Sequence, residues 1–245
     1  MKRIDRKSTI FPRLVLAGLL PLLGGCASWV GVEPEPGDPL EPFNRSMFEL
    51  NRTLDTYVSK PLARGYQNIT PEPVDRGITN FFSNLDEIPT AFNNLLQLKV
   101  KAALSDLGRL AVNTTLGVLG FMDVATDMGL EKHDEDFGQT LGYWGVPSGP
   151  YLVLPVIGPS SFRDGVGFTV DWVSNPIYYR IGDNKYGWAL WTLRYVDRRS
   201  DLLRTEKVVE AAALDPYVFY RDSYLQHRNY LVHDGNPPLD EEEFE

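Results

Sequence analysis

The chain has 245 residues, 43% of them hydrophobic and 23% charged, enough for one large domain or two small ones with an ordinary buried core. A mean hydropathy of −0.23 excludes a bundle of several membrane spans, and the apolar content excludes wholesale disorder. Net charge is −9, and because Met1 to Gly25 holds five cations against one carboxylate, the remainder sits at −13, a surface that repels phosphate backbones and excludes nucleic acid as a partner.

Met1 to Arg13 is a basic head and Leu14 to Leu23 a ten-residue apolar run. Ten helical residues fall well short of the ~20 that a bilayer needs, so residues 1–25 read as a secretory signal and not as an anchor span. Leu23-Gly24-Gly25-Cys26 matches the bacterial lipobox, an apolar residue and two small ones before a cysteine that is acylated and becomes the new N-terminus. Cys26 is the only cysteine, so the exported body has no disulfide and its core holds unaided. A diacylglycerol unit and an N-acyl chain on Cys26 are therefore expected, with no other cofactor and no metal. By lipoprotein sorting rules, Ala27 after the cysteine directs the chain to the outer membrane. Each buried methylene contributes about 0.8 kcal/mol, so two or more acyl chains make a stable anchor. Residues 26–39 then form the acylated N-terminus and a Gly/Pro/Glu-rich tether, 40–233 the body, and 234–245 an acidic tail.

Within the body, Phe43, Met47, Leu50, Leu54 and Val58 recur at helical spacing, with Asn44, Arg45, Arg52 and Asp55 on the other side. Val74, Ile78, Phe81, Phe82 and Leu85 mark a second helix that Pro89 is expected to interrupt, and Phe92, Leu95 and Leu96 a shorter piece after it. From Val100 to Leu119 apolar residues surround most of a helix, and Lys99, Asp106, Arg109 and Asn113 leave only a narrow polar stripe, the pattern of a helix greased on most sides and wet along one. Trp188, Trp191, Tyr195, Leu202 and Val209 mark a longer helix, and Asp215-Pro216 starts the last one with a capping carboxylate and a proline in the first turn. Strand alternation is not sustained anywhere, and the fold class is all-α.

Phe137 to Phe162 contains no charge, yet Gly138, Gly142, Gly145, Gly149 and Gly158 with Pro147, Pro150, Pro155 and Pro159 forbid a continuous helix. On composition alone the segment is either a buried loop or hairpin, or a broken segment lining a cavity; the lipid anchor and the wide apolar helix faces favour the cavity. Trp144, Tyr151, Trp172, Tyr178, Tyr179, Trp188 and Trp191 suit either an interfacial belt or an ordinary core.

No catalytic constellation assembles. There is no nucleophile elbow, zinc-protease pair, P-loop or dinucleotide fingerprint, and the sole thiol is the acylated one. His133 sits in Glu131-Lys132-His133-Asp134-Glu135-Asp136, which reads as a solvated charged turn, and His227 and His233 flank the end of the last helix. The chain is read as a non-enzyme.

Five blocks in order resemble the MlaA (VacJ) family of outer-membrane lipoproteins. They are Asp38-Pro39-Leu40-Glu41-Pro42-Phe43-Asn44-Arg45 with Met47 and Asn51; Val74 to Leu85; Arg109 to Gly117 continuing to Ala125; Phe137 to Gly142 with Gly149 to Pro155 and Gly158 to Asp164; and Asp215-Pro216-Tyr217 with Arg221, Tyr224 and Gln226. The resemblance implies a ring- or disc-like bundle of amphipathic helices embedded in the membrane, with the Gly/Pro-rich broken hairpin segment near a central channel. It further implies a periplasm-facing lipoprotein of a Gram-negative outer membrane, associated with a trimeric porin. Such a protein withdraws misplaced phospholipid from the outer leaflet and passes it to a periplasmic carrier of the MlaC kind. On that reading Phe43, Met47 and Leu50 seat in the membrane, and Lys99, Arg109 and Asn113 form the wet stripe, the two cations suiting lipid phosphate. Gly145, Pro147, Gly149, Pro150 and Pro155 shape the broken segment at the pore. The competing readings are a lipid-tethered envelope hydrolase and a structural lipoprotein that braces porins without transport.

Overall fold

The structure, a computed structural model, describes residues 38–175 and 185–238. Cys26, the tether up to residue 37, Tyr178, Tyr179 and the tail from residue 239 lie outside the described residues. The chain opens with α1 (Glu41–Leu54), a π-helical turn (Asp55–Ser59) and α2 (Lys60–Ile69). α3 (Glu72–Leu96) turns back into α4 (Val100–Thr115), and the short α5 (Val124–Asp127) and α6 (Phe137–Tyr143) follow. A hairpin of β1 (Tyr151–Leu154) and β2 (Gly158–Ser161) leads into α7 (Phe162–Ser174), α8 (Lys185–Ala212) and α9 (Pro216–Val232). α3 packs along α4, α6 against α7, α8 across α2 and α3, and α9 against α6 and β2.

The fold is mostly helical, as the periodicity predicts, and Asp215 caps α9 through the N–H groups of Tyr217 and Val218 as expected. One local expectation is corrected. Pro89 does not end its helix: α3 continues for 25 residues with the proline inside. Bonds to α4 hold it on both sides of the proline, Asn84 to Thr114 (3.0 Å) and Glu87 to Arg109 (2.8 Å) before it, and Asn94 to Asp106 (2.8 Å) after it. Tertiary pairing offsets the one backbone hydrogen bond that proline removes. The uncharged Gly/Pro stretch, where strand alternation is too short to stand out, contains an antiparallel hairpin in register from Tyr151–Ser161 to Leu154–Gly158. At the start of the described residues, Asp38 is buried and accepts hydrogen bonds from Asn44 and Tyr217.

Polarity in this molecule is inverted relative to an ordinary globule. Among the described residues, buried polar and charged side chains outnumber buried apolar ones by more than two to one, and several of the buried apolar ones are only alanine (Ala63, Ala91, Ala103, Ala125). The large apolar side chains lie outside: Leu104 on α4 is 64% exposed, Tyr57 in the π-helical turn 77%, and Ile69 at the end of α2 81%. On α3 most of the buried side chains are polar (Asn84, Glu87, Thr90, Asn93 and Asn94, beside Phe82 and Ala91), while Val74, Phe92 and Leu95 face out. Such an exterior is unfavourable in water and favourable in an acyl-chain environment. No helix among the described residues is long and apolar enough to cross a membrane.

Where helices meet closely, glycine makes room. A Cβ on Gly167 of α7 would stand 2.4 Å from the Gly138 nitrogen of α6, so these two backbones pass nearly in contact. That approach sets Asp136, Asp164 and Arg228 together. Arg228 donates to Asp136 Oδ1 (2.9 Å) and Asp164 Oδ1 (2.9 Å), and Tyr224 donates to Asp164 Oδ2 (2.7 Å), so one guanidinium locks α6, α7 and α9.

Candidate functional site

The polar stripe foreseen on α4 exists, but it is sealed between helices instead of wet. Arg109 is 1% exposed. Its Nε donates to Glu87 (2.8 Å), Nη1 to Thr126 Oγ1 (3.0 Å) and the Leu130 carbonyl (2.8 Å), and Nη2 to both oxygens of Asp123 (3.0 Å each). All five N–H donors are engaged, so Arg109 has none left for a lipid phosphate and acts as a cross-link between α3, α4 and the loop leading into α5. Asn113 donates to Asp123 (3.0 Å) and accepts from the Ala125 N–H (2.8 Å). Asp123 is partly desolvated, but hydrogen bonds from Thr126, Asn113 and Arg109 hold its carboxyl down at about 2. Lys99, at the α3–α4 turn, pairs with Glu135 (3.0 Å) and with Asp234, tying that turn to the approach to α6 and the end of α9. His133 is not in a solvated turn: its Nδ1 meets the buried Asp106 at 2.7 Å.

Other expected residues separate in the same way. Leu50 faces out, whereas Met47 packs with Phe48 on the buried cluster of Tyr151, Val153 and Tyr217, and Phe43 is only half-buried; of the three intended to seat in the membrane, Leu50 alone is largely exposed. Gly145, Pro147, Gly149, Pro150 and Pro155 shape the approach to the hairpin and its turn, with φ of +86° at Gly145 and +69° at Gly149, but none of them borders the polar cavity described next. Among the aromatics, Tyr151 is core, and Trp144 and Trp188 are exposed.

That cavity, of about 160 Å³, opens between α3, α8 and the loop preceding α6. Its walls carry Asp86 and Glu87 from α3, Arg194, Asp197 and Arg198 from α8, and Lys132 and Asp134 from the loop. Arg194 donates to Asp86 (2.6 Å), Tyr66 and Thr79 donate to Asp197 (2.9 and 3.2 Å), and Lys132 donates to Ser83. Burial pushes the Asp86 and Glu87 carboxyls upward against the pull of their arginines. Sequence reasoning missed this site, although a signal was present. Thr79, Ser83, Asp86 and Thr90 fall at four-, three- and four-residue spacing, a polar face of α3 that lines the cavity beside Glu87. A wider groove of about 400 Å³ lies at the start of α3, between Glu72, Arg76 and Asn80 and the segment Phe121–Val124.

The sequence and the fold both have counterparts among known proteins. Residues 36–231 match the family model of the MlaA lipoprotein. The intermembrane phospholipid transport system lipoprotein MlaA of Escherichia coli (strain K12) is 33% identical over 225 residues, covering 87% of this chain and 86% of that protein. The Haemophilus influenzae protein of the same name is 32% identical over 241 residues, covering 91% and 92%. A chain solved in work on the structural basis for maintenance of bacterial outer membrane lipid asymmetry superposes with a TM-score of 0.70 at 32% identity, covering 80% of this chain and 98% of that one. Sequence match over most of the body and a shared fold agree, and the chain belongs to the MlaA lipoprotein family.

Proposed function

We propose that this protein is an outer-membrane lipoprotein, acylated on Cys26, that removes misplaced phospholipids from the outer leaflet and hands them to a periplasmic carrier of the MlaC kind. The observation that carries the reading is the inverted polarity: leucines, valines and aromatics outside, carboxylates, amides and arginines inside. A body built so sits in acyl chains without a spanning helix, and its interior offers polar partners to a headgroup that would otherwise cross hydrocarbon unpaired. Relatives named for intermembrane phospholipid transport support the same reading. Its exposed apolar faces also suit docking beside a trimeric porin in the same membrane. Hydrolysis is not part of the proposal, since the buried carboxylates, amides and arginines are engaged in cross-links between helices and not arrayed around a nucleophile.

Deleting the gene and labelling surface phospholipids enzymatically tests the proposal. Outer-leaflet phospholipid is expected to rise, and wild-type protein to restore it. An unchanged surface with porin association intact would leave a brace without transport. Metabolic palmitate labelling, abolished by Cys26→Ser, tests the anchor.

A further inference from the structure

The cavity between α3 and α8 carries charged side chains at its rim and at depth, beside the buried ring of Phe82. Lys132, Asp134 and Arg198 are exposed at the rim, while Glu87 and Asp197 are buried at the floor. Glu87 is 2% exposed. Its Oε1 accepts from Arg109, and its Oε2 accepts no hydrogen bond among the described residues. A carboxylate oxygen so placed is costly unless a donor reaches it, and an incoming group with an N–H to give gains what the protein itself does not supply. Four carboxylates (Asp86, Glu87, Asp134, Asp197) line the cavity against the lysine and arginine cations Lys132, Arg194 and Arg198, and the His133 imidazole is turned to its own carboxylate, Asp106, outside the lining, which makes the site unwelcoming to a purely anionic guest.

We propose that this cavity selects phospholipids whose headgroup ends in a primary ammonium: the ammonium descends to Glu87 Oε2 while the phosphate stays at the rim with Lys132 and Arg198. The inference rests on the phospholipid reading above and names the class of lipid that reading left open. A phosphate followed by a two-carbon arm and an ammonium matches the vertical order of charge. A quaternary ammonium fits the charge but has no N–H to donate, and a glycerol headgroup keeps the phosphate's net negative charge in a lining that is already negative.

The test uses full-length protein in mild detergent and displacement of a fluorescent short-chain phospholipid by short-chain competitors with identical acyl chains. Phosphatidylethanolamine is expected to bind about tenfold tighter than phosphatidylcholine or phosphatidylglycerol, the difference made by one satisfied buried acceptor. Along the mono-, di- and trimethylated series the drop falls at the third methyl, the step that removes the last N–H. Glu87→Gln abolishes the preference. Because Glu87 also supports Arg109, that variant could unfold, and the methylation series on unaltered protein then decides alone. Equal affinities, a gradual decline tracking headgroup size, or a preference that survives in Glu87→Gln would overturn the proposal. Glycerophosphoethanolamine, the same headgroup without acyl chains, is expected to compete at least about tenfold more weakly; equal competition would assign the cavity to a soluble metabolite and overturn the lipid assignment. Failure to bind any short-chain phospholipid would instead count against lipid transport itself.

Discussion

Asn44 and Asn51 stand two helical turns apart on one face of α1, and each makes two bonds to the hairpin backbone, Asn44 within the first strand and Asn51 at its end and in the turn. Asn44 donates to the Tyr151 carbonyl (3.0 Å) and accepts from the Val153 N–H (2.9 Å); Asn51 donates to the Leu154 carbonyl (2.8 Å) and accepts from the Val156 N–H (2.7 Å). Seven helical residues rise about 10 Å and three strand residues about the same distance, so two side-chain amides meet the strand edge in register. They do for β1 what a third strand would do, and they hold Val156 at φ +68°, a conformation unfavourable for a β-branched residue. Asn44→Ala removes these two bonds and a third to Asp38, and orphans a buried carbonyl and N–H. It is expected to lower stability by roughly 2–5 kcal/mol. Denaturation in detergent and early protease cleavage near residues 155–157 check this. Asn51→Ala, at the more exposed end, is expected to cost about 1 kcal/mol.

Arg109 and Glu87 form an ion pair with both side chains buried. Removing one partner of such a pair leaves the other charge buried, so Arg109→Met is expected to cost about 3–5 kcal/mol. Adding Glu87→Gln to Arg109→Met relieves the stranded carboxylate and should recover part of the loss. Unfolding midpoints of the single and double variants measure this coupling. A double variant as unstable as the sum of its parts would mean that the pair is not coupled.

Asp171 in α7 has its carboxyl pushed up to about 6, by burial first and then by the neighbouring charge of Asp136, against the pull of the Phe137 N–H and Asn93. Because its folded value lies above the ordinary carboxylate value, its contribution to stability is full at low pH and is lost as pH rises toward 6. Asp171→Asn keeps an acceptor for the Phe137 N–H but does not ionise. Relative to wild type the variant should gain up to about 3 kcal/mol between about pH 4 and pH 7. Asp123 and Asp164, both held at about 2, act in the opposite sense, losing their stabilisation as pH falls through that value, and cancel in the comparison. Unfolding curves of both proteins across this range provide the measurement.

The apolar exterior predicts membrane association without the lipid anchor. The body beginning after residue 26, carrying no acyl chain, should float with phospholipid vesicles. Leu104→Glu or Leu107→Glu, on the outer face of α4, should each lower partitioning by about tenfold or more, since each puts a charge where the protein meets acyl chains. Flotation of the unacylated body and both variants decides it; a body that stays in the aqueous fraction would contradict an oil-facing exterior.

By itself, the sequence determined the helical class and the cap at Asp215, because each is written in residues close together in the chain, and it is the basis on which the leader and acylation at Cys26 are proposed. The five blocks shared with the MlaA family were legible for the same reason. Only the tertiary structure decided which way each amphipathic face points, since periodicity reports that a helix has two faces without saying whether the solvent is water or acyl chains. Hence, of a stripe that periodicity could not orient, Arg109 and Asn113 are interior cross-links and Lys99 is a partly exposed one at the α3–α4 turn. Pro89 passes through an unbroken helix because partners on α4, distant in sequence, hold both sides of it. The cavity of Glu87, Arg194 and Asp197 exists because α8 crosses α3 about a hundred residues later in the chain, a meeting that long-range packing alone determines.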